Sequence, residues 1–454
     1  MSYNFLPYDQ GQLFLMPPSV QEWVKKDSIA CFVSEVIDEF DARGRLASFY
    51  APYRSDGWGA PAFHPVMMVK VLLYAYTNGV RSSRRIATML EADVAFRYLA
   101  ANNQPDFRTI AGFRTTHLEA LLGLFADVFE LCQKAGLVKL GRVALDGHRV
   151  AGDASLSENR KRARLEEEIR SLLDEAAWID AEEDRQHGAQ KRGDELPSGL
   201  KNPRKRAERL QKALEELEKK EAALRQEQAE RIAGREKEER QAGRKKRGRK
   251  PKAVEDVKLP EDARANRTDP DSRVLKTRRG WVQGYNAQAM VDCDSQVIVA
   301  QQVTNEESDV HLLAAMLERC EEQAGARPKQ VLADAGYWSE ANGALDGQGG
   351  TDLLIATVHW ARERADDHPQ RDLMEAKLET EEGKAAYAER CSTIEPAFGQ
   401  MVTRGLERFL LRGKKKVGLE WSLWCTTHNL LKLWRHAARA RNARPRTSDM
   451  AVAV

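Results

Sequence analysis

Gly141-Arg-Val-Ala-Leu-Asp-Gly-His-Arg-Val-Ala-Gly-Asp-Ala-Ser155 is the stretch from which the fold is read. Arg142, Val143, Ala144 and Leu145 form a short, mostly apolar run closed by Asp146 and Gly147. This is the pattern of a buried strand that delivers a carboxylate to its exposed end, where an α/β sheet places its chemistry. A lone Asp-Gly after a strand is more often a turn, with Gly supplying φ > 0 and Asp a local hydrogen bond. A second, similar event changes that balance. Lys329 to Tyr337 again runs a short apolar strand into an acid, Asp334, and then into a Gly turn. A third acid, Glu395, lies among Ile394, Phe398, Met401 and Val402 at helix-like spacing in Tyr387 to Gly399. A carboxylate on an apolar face is costly unless it is paired or bound to metal.

These blocks resemble those of the DDE transposases of bacterial insertion sequences, which have a ribonuclease H-like catalytic core. The matching pieces are Leu-Asp-Gly-His-Arg-Val at 145 to 150, Gly-Tyr-Asn-Ala-Gln-Ala-Met-Val-Asp at 284 to 292 and Ala-Asp-Ala-Gly-Tyr at 333 to 337. The last is Tyr387, Arg390 and Glu395, running on into Arg-Phe-Leu-Leu-Arg-Gly at 408 to 413. Order and spacing fit over nearly the whole chain apart from its charged middle, and four blocks together are far more specific than any one of them.

The resemblance implies an α/β fold: a ribonuclease H-like mixed sheet, a helical N-terminal domain and a long helical or coiled-coil insertion. It implies two Mg²⁺ ions, for which Mn²⁺ substitutes, with Asp146 bridging both, Asp334 holding one and Glu395 the other. Carboxylates are the hard oxygen ligands such ions prefer. Asp153 and Asp292 compete for the first position and rank below Asp146, which ends the apolar strand. Tyr387 and Arg390 resemble the family's Tyr-Arg-Glu-Lys arrangement, in which Arg and Lys grip phosphates of the transposon end. Here the sequence departs from the pattern, because Val402 stands where that Lys is expected. Arg404 is the neighbouring candidate to take over. Trp338, just after the second acid, reads either as a stacking platform for a base or, more simply, as packing.

The totals are compatible with this and decide little. A chain of 454 residues, with formal net charge +3 and 31% charged residues, has room for two or three domains and a sizeable core. Six cysteines are scattered with no Cys-x-x-Cys pair, which argues against a zinc site or a disulfide framework. The first thirty residues lack a signal-peptide pattern, and no apolar run reaches membrane-spanning length, so the expectation is a cytoplasmic, nucleoid-associated protein without membrane contact.

Residues 1–140 are read as a helical DNA-binding domain. Ile29, Phe32, Val33, Val36, Ile37 and Phe40 recur at helical spacing, and Val66 to Tyr76 is strongly apolar behind His64-Pro65. Arg81 to Leu90 and Asp106 to Arg114 read as short capped helices with arginines beside hydroxyls. From residues alone, solvated arginines on a bundle and phosphate-facing arginines are equally good readings; the resemblance favours DNA and makes Arg84, Arg85, Arg108 and Arg114 candidate contacts. Residues 141–154 are the first core strand. Residues 155–266 form a charged helical insertion with a thin seam of Leu210, Leu214, Leu217 and Leu224, a Gly/Pro join at Gly193 to Pro203, and a basic linker. In that linker Arg247 and Arg249 lie within Arg244 to Lys252, which resembles an AT-hook interrupted by Lys250 and is read first as generic phosphate attraction. Residues 267–438 complete the core: a hairpin at Tyr285 to Val291 and Val297 to Ala300 pairing with the Asp146 strand, a helix from about Val310 to Ala324, the Asp334 strand, and a fifth strand at Leu353 to Thr357. A basic cluster at Arg412 to Lys416 and an aromatic helix close it, and 439–454 is a flexible tail.

The expected function is therefore a DNA transposase that binds double-stranded insertion-sequence ends, cleaves them and transfers 3′ ends to target DNA, working as a homodimer or higher oligomer. The alternatives are a catalytically inactive or host-adopted DNA-binding derivative, which Val402 keeps in view, and a metal-dependent nuclease.

Overall fold

In the computed structural model the described residues are 19–54, 61–172, 174, 203–242, 244, 251–260, 263–278, 280–357 and 369–443. Ser28 accepts the Cys31 amide and opens α1 (Ile29–Ala42), whose buried Ala30, Val33, Val36, Ile37 and Phe40 form the inward stripe expected from their spacing. After the single turn α2 (Ala47–Tyr50), α3 (Pro65–Thr77) starts with proline at its first position and is buried almost all round, which makes it the centre of the helical region. Asp93 caps α5 (Val94–Leu99), just after α4 (Ser83–Ala92), and Asp106 caps α6 (Phe107–Thr116) by accepting the Thr109 amide at 2.7 Å. The long helix α7 (Leu118–Lys134) then leads to the sheet.

The central strand β1 (Arg142–Ala151) has β5 (Gly280–Asp292) antiparallel on one side and β7 (Gln330–Ala333) parallel on the other, with β8 (Asp352–Ile355) parallel beyond β7. The far edge of β5 is shared by β4 (Arg273–Thr277) and β6 (Ile298–Thr304), both antiparallel to it. Three antiparallel strands followed by two parallel to the first is the ribonuclease H-like arrangement. Strand β1 runs on past Asp146, beyond the apolar run but within the residues 141–154 read as the first core strand. Strand β5 goes on pairing with β1 as far as Ala151 and Gly284, and their backbones meet so closely that a Cβ at Gly284 would lie 2.1 Å from the Val150 carbonyl oxygen. Strand β4 was not read from the sequence; it is a short hairpin partner of β5.

Between β1 and β5 stands the insertion. A helix at 162–172 (α8) and the 40-residue helix α9 (Pro203–Ala242) meet through Leu165, Leu210, Ala213 and Leu217, together with Ala265. At its base, β2 (Asn159–Lys161) and β3 (Arg264–Asn266) form an antiparallel clasp. The Gly/Pro join up to residue 202 and the basic residues Arg247 and Arg249 lie outside the described residues.

Helix α10 (Leu313–Ala324) covers one face of the sheet, while the single turn α11 (Glu340–Gly343) and α12 (Pro369–Glu379) follow the Asp334 and β8 segments. Helix α13 (Glu381–Thr403), capped by Thr380, and the 30-residue α14 (Lys414–Ala443) cover the other face. One apolar cluster runs without interruption from α1, α3, α4, α6 and α7 through α13 and α14 to Ala144, Val150, Tyr285 and Ala287 of the sheet. The change at residue 140 is thus a change of element type within a shared core. The seam is fastened by a buried ion pair: Glu420 of α14, fully buried, accepts from Arg81 at 3.1 Å and from the Leu410 and Leu411 amides.

Candidate active site

Strands β1 and β7 run parallel with Leu145 opposite Ala333, so Asp146 and Asp334 are the next residues on adjacent strands. There β7 ends while β1 continues, and the two side chains stand at the point where the sheet opens, the place at which α/β sheets form crevices for ligands. Each carboxylate is held by the amide of a glycine just after it in the chain. The Gly147 amide donates to Asp146 Oδ1 at 2.7 Å, and the Gly336 amide donates to Asp334 Oδ1 at 2.9 Å. Burial, followed by the negative charge of Asp334, pushes the Asp146 carboxyl up to about 6; Arg390 and the Gly147 amide pull the other way.

Helix α13 packs along β1 and supplies that arginine. Its inward face carries Thr393, Ile394, Ala397, Phe398 and Met401, and the Phe398 ring stacks on His148 at 5.2 Å. One turn earlier, Arg390 Nη1 donates to Asp146 Oδ2 at 2.9 Å, and the guanidinium lies 5.9 Å above the Tyr387 ring. Arg390 Nε is buried and has no hydrogen-bond partner.

Glu395 is placed differently from the expectation. At 3.6 residues per turn, Ile394 and Phe398 take the inward positions and Glu395 points to the exposed side of α13. The structure therefore brings Asp146, Asp334, Arg390 and Tyr387 together and leaves Glu395 outside that group. Among the described residues no set of three or more His, Cys, Asp or Glu side chains is close enough to hold a metal ion.

Asp309, just ahead of α10, belongs to this neighbourhood although the sequence reading passed over it. Its Oδ1 accepts from Asn286 Nδ2 at 2.6 Å and from Gln288 Nε2 at 2.8 Å, and Arg149 lies 3.7 Å from Oδ2. The signal in the sequence was indirect: Asn286 and Gln288 are amides at alternate positions of an otherwise apolar strand, and buried amides require partners.

The remaining candidates divide. Arg84, Arg85 and Arg108 are exposed on α4 and α6, with Arg84 and Arg108 at 4.0 and 5.6 Å from the Phe107 ring. Arg114 of α6 is buried and donates to the Arg81 carbonyl at 2.9 Å and to the Ser83 hydroxyl, so its guanidinium is committed to holding α4. Arg404 turns inward over Trp424 at 5.1 Å, with both Nη atoms buried and without hydrogen-bond partners; burial and the nearby Arg435 push its pKa down to about 10. Val402 is exposed. Asp153 pairs with Arg408 and Arg412, and buried Asp292 accepts the Asp294 and Ser295 amides of its turn, so both competing acids have structural partners. Trp338 packs against the apolar cluster under α10.

Residues 18–116 match the family described as transposase domain (DUF772), and residues 358–434 match the family described as transposase DDE domain. Both are transposase families, and together they support an insertion-sequence DDE transposase. The first match spans α1 to α6 with the exposed arginines of this transposase, and the second spans α13 with Tyr387, Arg390 and Glu395 and most of α14. No curated protein and no solved structure matches the chain. Among the described residues no helix of the transposase is long and apolar enough to cross a membrane.

Proposed function

We propose that this DNA transposase binds the double-stranded ends of its element, cleaves them and joins the 3′ ends to target DNA, with Asp146, Asp334 and Glu395 as acidic ligands of two Mg²⁺ ions. The observation that carries the reading is the pairing of Asp146 with Asp334 on adjacent parallel strands. Two neighbouring hard-oxygen carboxylates, with the charge of Asp334 raising the cost of ionising Asp146, fit a divalent cation, which relieves that cost. Bound there, Mg²⁺, or Mn²⁺ in its place, would polarise the phosphodiester and stabilise charge on the attacking and leaving oxygens. The chain's own residues do the rest. The Gly147 and Gly336 amides fix the acids, and Arg390 beside Tyr387 offers a cation to a phosphate of the end being cut. Glu395 is supported by its sequence block and by its helix, and on this reading it is recruited when DNA docks on the exposed side of α13. Arg84, Arg85 and Arg108 form the phosphate-facing edge of the helical region, and Arg247 and Arg249 add generic attraction. Arg114 and Arg404, being buried, are assigned to the scaffold. Assembly as a homodimer or higher oligomer on DNA, and residence at the nucleoid in the cytoplasm, complete the reading.

A second reading, a DNA-binding derivative that does not cut, is favoured by Val402 and by the outward Glu395. The two are separated by incubating the full chain with a DNA segment carrying its gene and flanks, with Mg²⁺ or Mn²⁺, beside Asp146→Ala. Site-specific cuts and joined products that fall at least about a thousandfold in the variant are expected, since the ligand set would be broken. Binding of the flanks without cutting by the wild type in either metal would leave only the second reading.

A further inference from the structure

We infer that Asp309 is a positioning residue, wedged behind Gly147 of β1 and Gly336 of the turn after Asp334 so that it fixes how Asp146 and Asp334 face each other. The inference rests on the metal-site reading above and extends it to a residue outside the three acids. A Cβ added to Gly147 would stand 3.1 Å from Asp309 Oδ1 and 2.2 Å from Gln288 Nε2. A Cβ added to Gly336 would stand 3.4 Å from Asp309 Oδ2 and 3.7 Å from its Cβ. One oxygen of Asp309 thus backs each glycine, and these are the glycines whose amides hold Asp146 and Asp334.

The wedge is itself anchored. Asn286 and Gln288 both donate to Oδ1, so that oxygen is occupied by amides of the strand next to β1. Gln288 Oε1 accepts from the hydroxyl of Tyr337, the residue after Gly336, while the Gln288 carbonyl accepts from Trp421 Nε1 at 3.2 Å. Asp309, Gln288 and Tyr337 therefore link β5, α14 and the turn of the second acid into one polar chain. The Asp309 carboxylate is 12% exposed, against 24% for Asp146, so it acts from behind the crevice. Asp309 bonds to Asn286 and Gln288 and not to either acid, so it acts by filling the space behind the two glycines, as the groups around a metal site that set the direction of its ligand oxygens do.

The test is Mn²⁺ binding to the full chain without DNA, followed by loss of the free-ion paramagnetic resonance signal, in wild type, Asp146→Asn, Asp309→Asn and Asn286→Ala. Asp309→Asn keeps the shape of the wedge but replaces an acceptor facing two amide donors. The expected result is Mn²⁺ affinity lowered about tenfold or more, with thermal midpoint and DNA retardation near wild type. Half-maximal cleavage should need correspondingly more Mn²⁺ and recover at saturation. Mn²⁺ affinity within about twofold of wild type in folded Asp309→Asn overturns the inference, a gap well short of that expected for an outer-shell partner. Should that variant fail to fold, Asn286→Ala removes a donor to Asp309 while leaving Gly336 and the Asp334 turn untouched; several-fold weaker Mn²⁺ binding is expected, and unchanged binding overturns the inference. If the wild type takes up no Mn²⁺, or Asp146→Asn leaves uptake intact, the metal-site reading itself is lost and the role of Asp309 goes with it.

Discussion

Asp146 concentrates the electrostatics of the site, because burial and Asp334 act on it in the same direction. Its carboxyl lies near pH 6 in the folded chain against an ordinary 3.8. A raised carboxyl pKa contributes stability that is complete below about pH 4 and is lost as pH rises through about 6, on the order of 1–3 kcal/mol in the absence of metal. In EDTA, the thermal midpoint of wild type should therefore fall relative to Asp146→Asn between pH 4.5 and 7.5, and Mn²⁺ at pH 7.5 should restore it. A midpoint difference that is flat across this range would refute the account. The first two acids were legible in the sequence because an apolar run ending in an acid and a glycine is a local signal that β1 and β7 each carry. Asp309 was not, since a single aspartate before a helix has no spacing to distinguish it. The side taken by Glu395 was not legible either: Ile394 and Glu395 are neighbours, and packing on β1 chooses which of them turns inward.

Among the elements, α4 starts two residues later than the Arg81 to Leu90 read from the sequence, which leaves Arg81 ahead of the helix, where it enters the seam, pairing with Glu420 and donating to the carbonyls of Gly405 and Arg408. Removing the cation would leave a fully buried carboxylate without its charge partner, so Arg81→Ala should cost about 3–5 kcal/mol, read from the denaturant midpoint. A loss below about 1 kcal/mol, the range of an exposed pair, would show that Glu420 is satisfied by the Leu410 and Leu411 amides alone. The elements α1, α10 and the β5–β6 hairpin were visible because each repeats a hydrophobic period, and α3 because it is a nearly unbroken apolar run. Strands β2, β3 and β4, of three to five residues, do not repeat one long enough to be seen.

At the scale of the whole molecule, two bodies of apolar contact differ greatly in size. The main clusters join the helical region to both faces of the sheet, whereas the insertion rests on a few residues around Leu210 and Leu217. Leu217→Ala should destabilise the insertion locally by about 2–5 kcal/mol and expose α9 to hydrogen exchange and protease while amides of β1 and β5 keep their protection. Loss of protection throughout the sheet would mean that the insertion and the core unfold as one unit. The charged composition announced the insertion as separate, but the clasp at its base and the continuity of the core across residue 140 depend on pairings that a linear pattern does not carry. The same topology sets an order of assembly. The central pair β1 and β5 is separated by roughly 130 residues between Ala151 and Gly284, and although the entropy of closing such a loop grows only slowly with length, the search for a partner so distant along the chain is slow. As the chain leaves the ribosome, β1 emerges with no strand to pair with, and α9 is finished long before β5 arrives. The β2–β3 clasp closes nearly the same span, roughly 100 residues between Lys161 and Arg264, so the packing of α8 on α9 has to draw the ends of the insertion together before the clasp can hand β5 to β1.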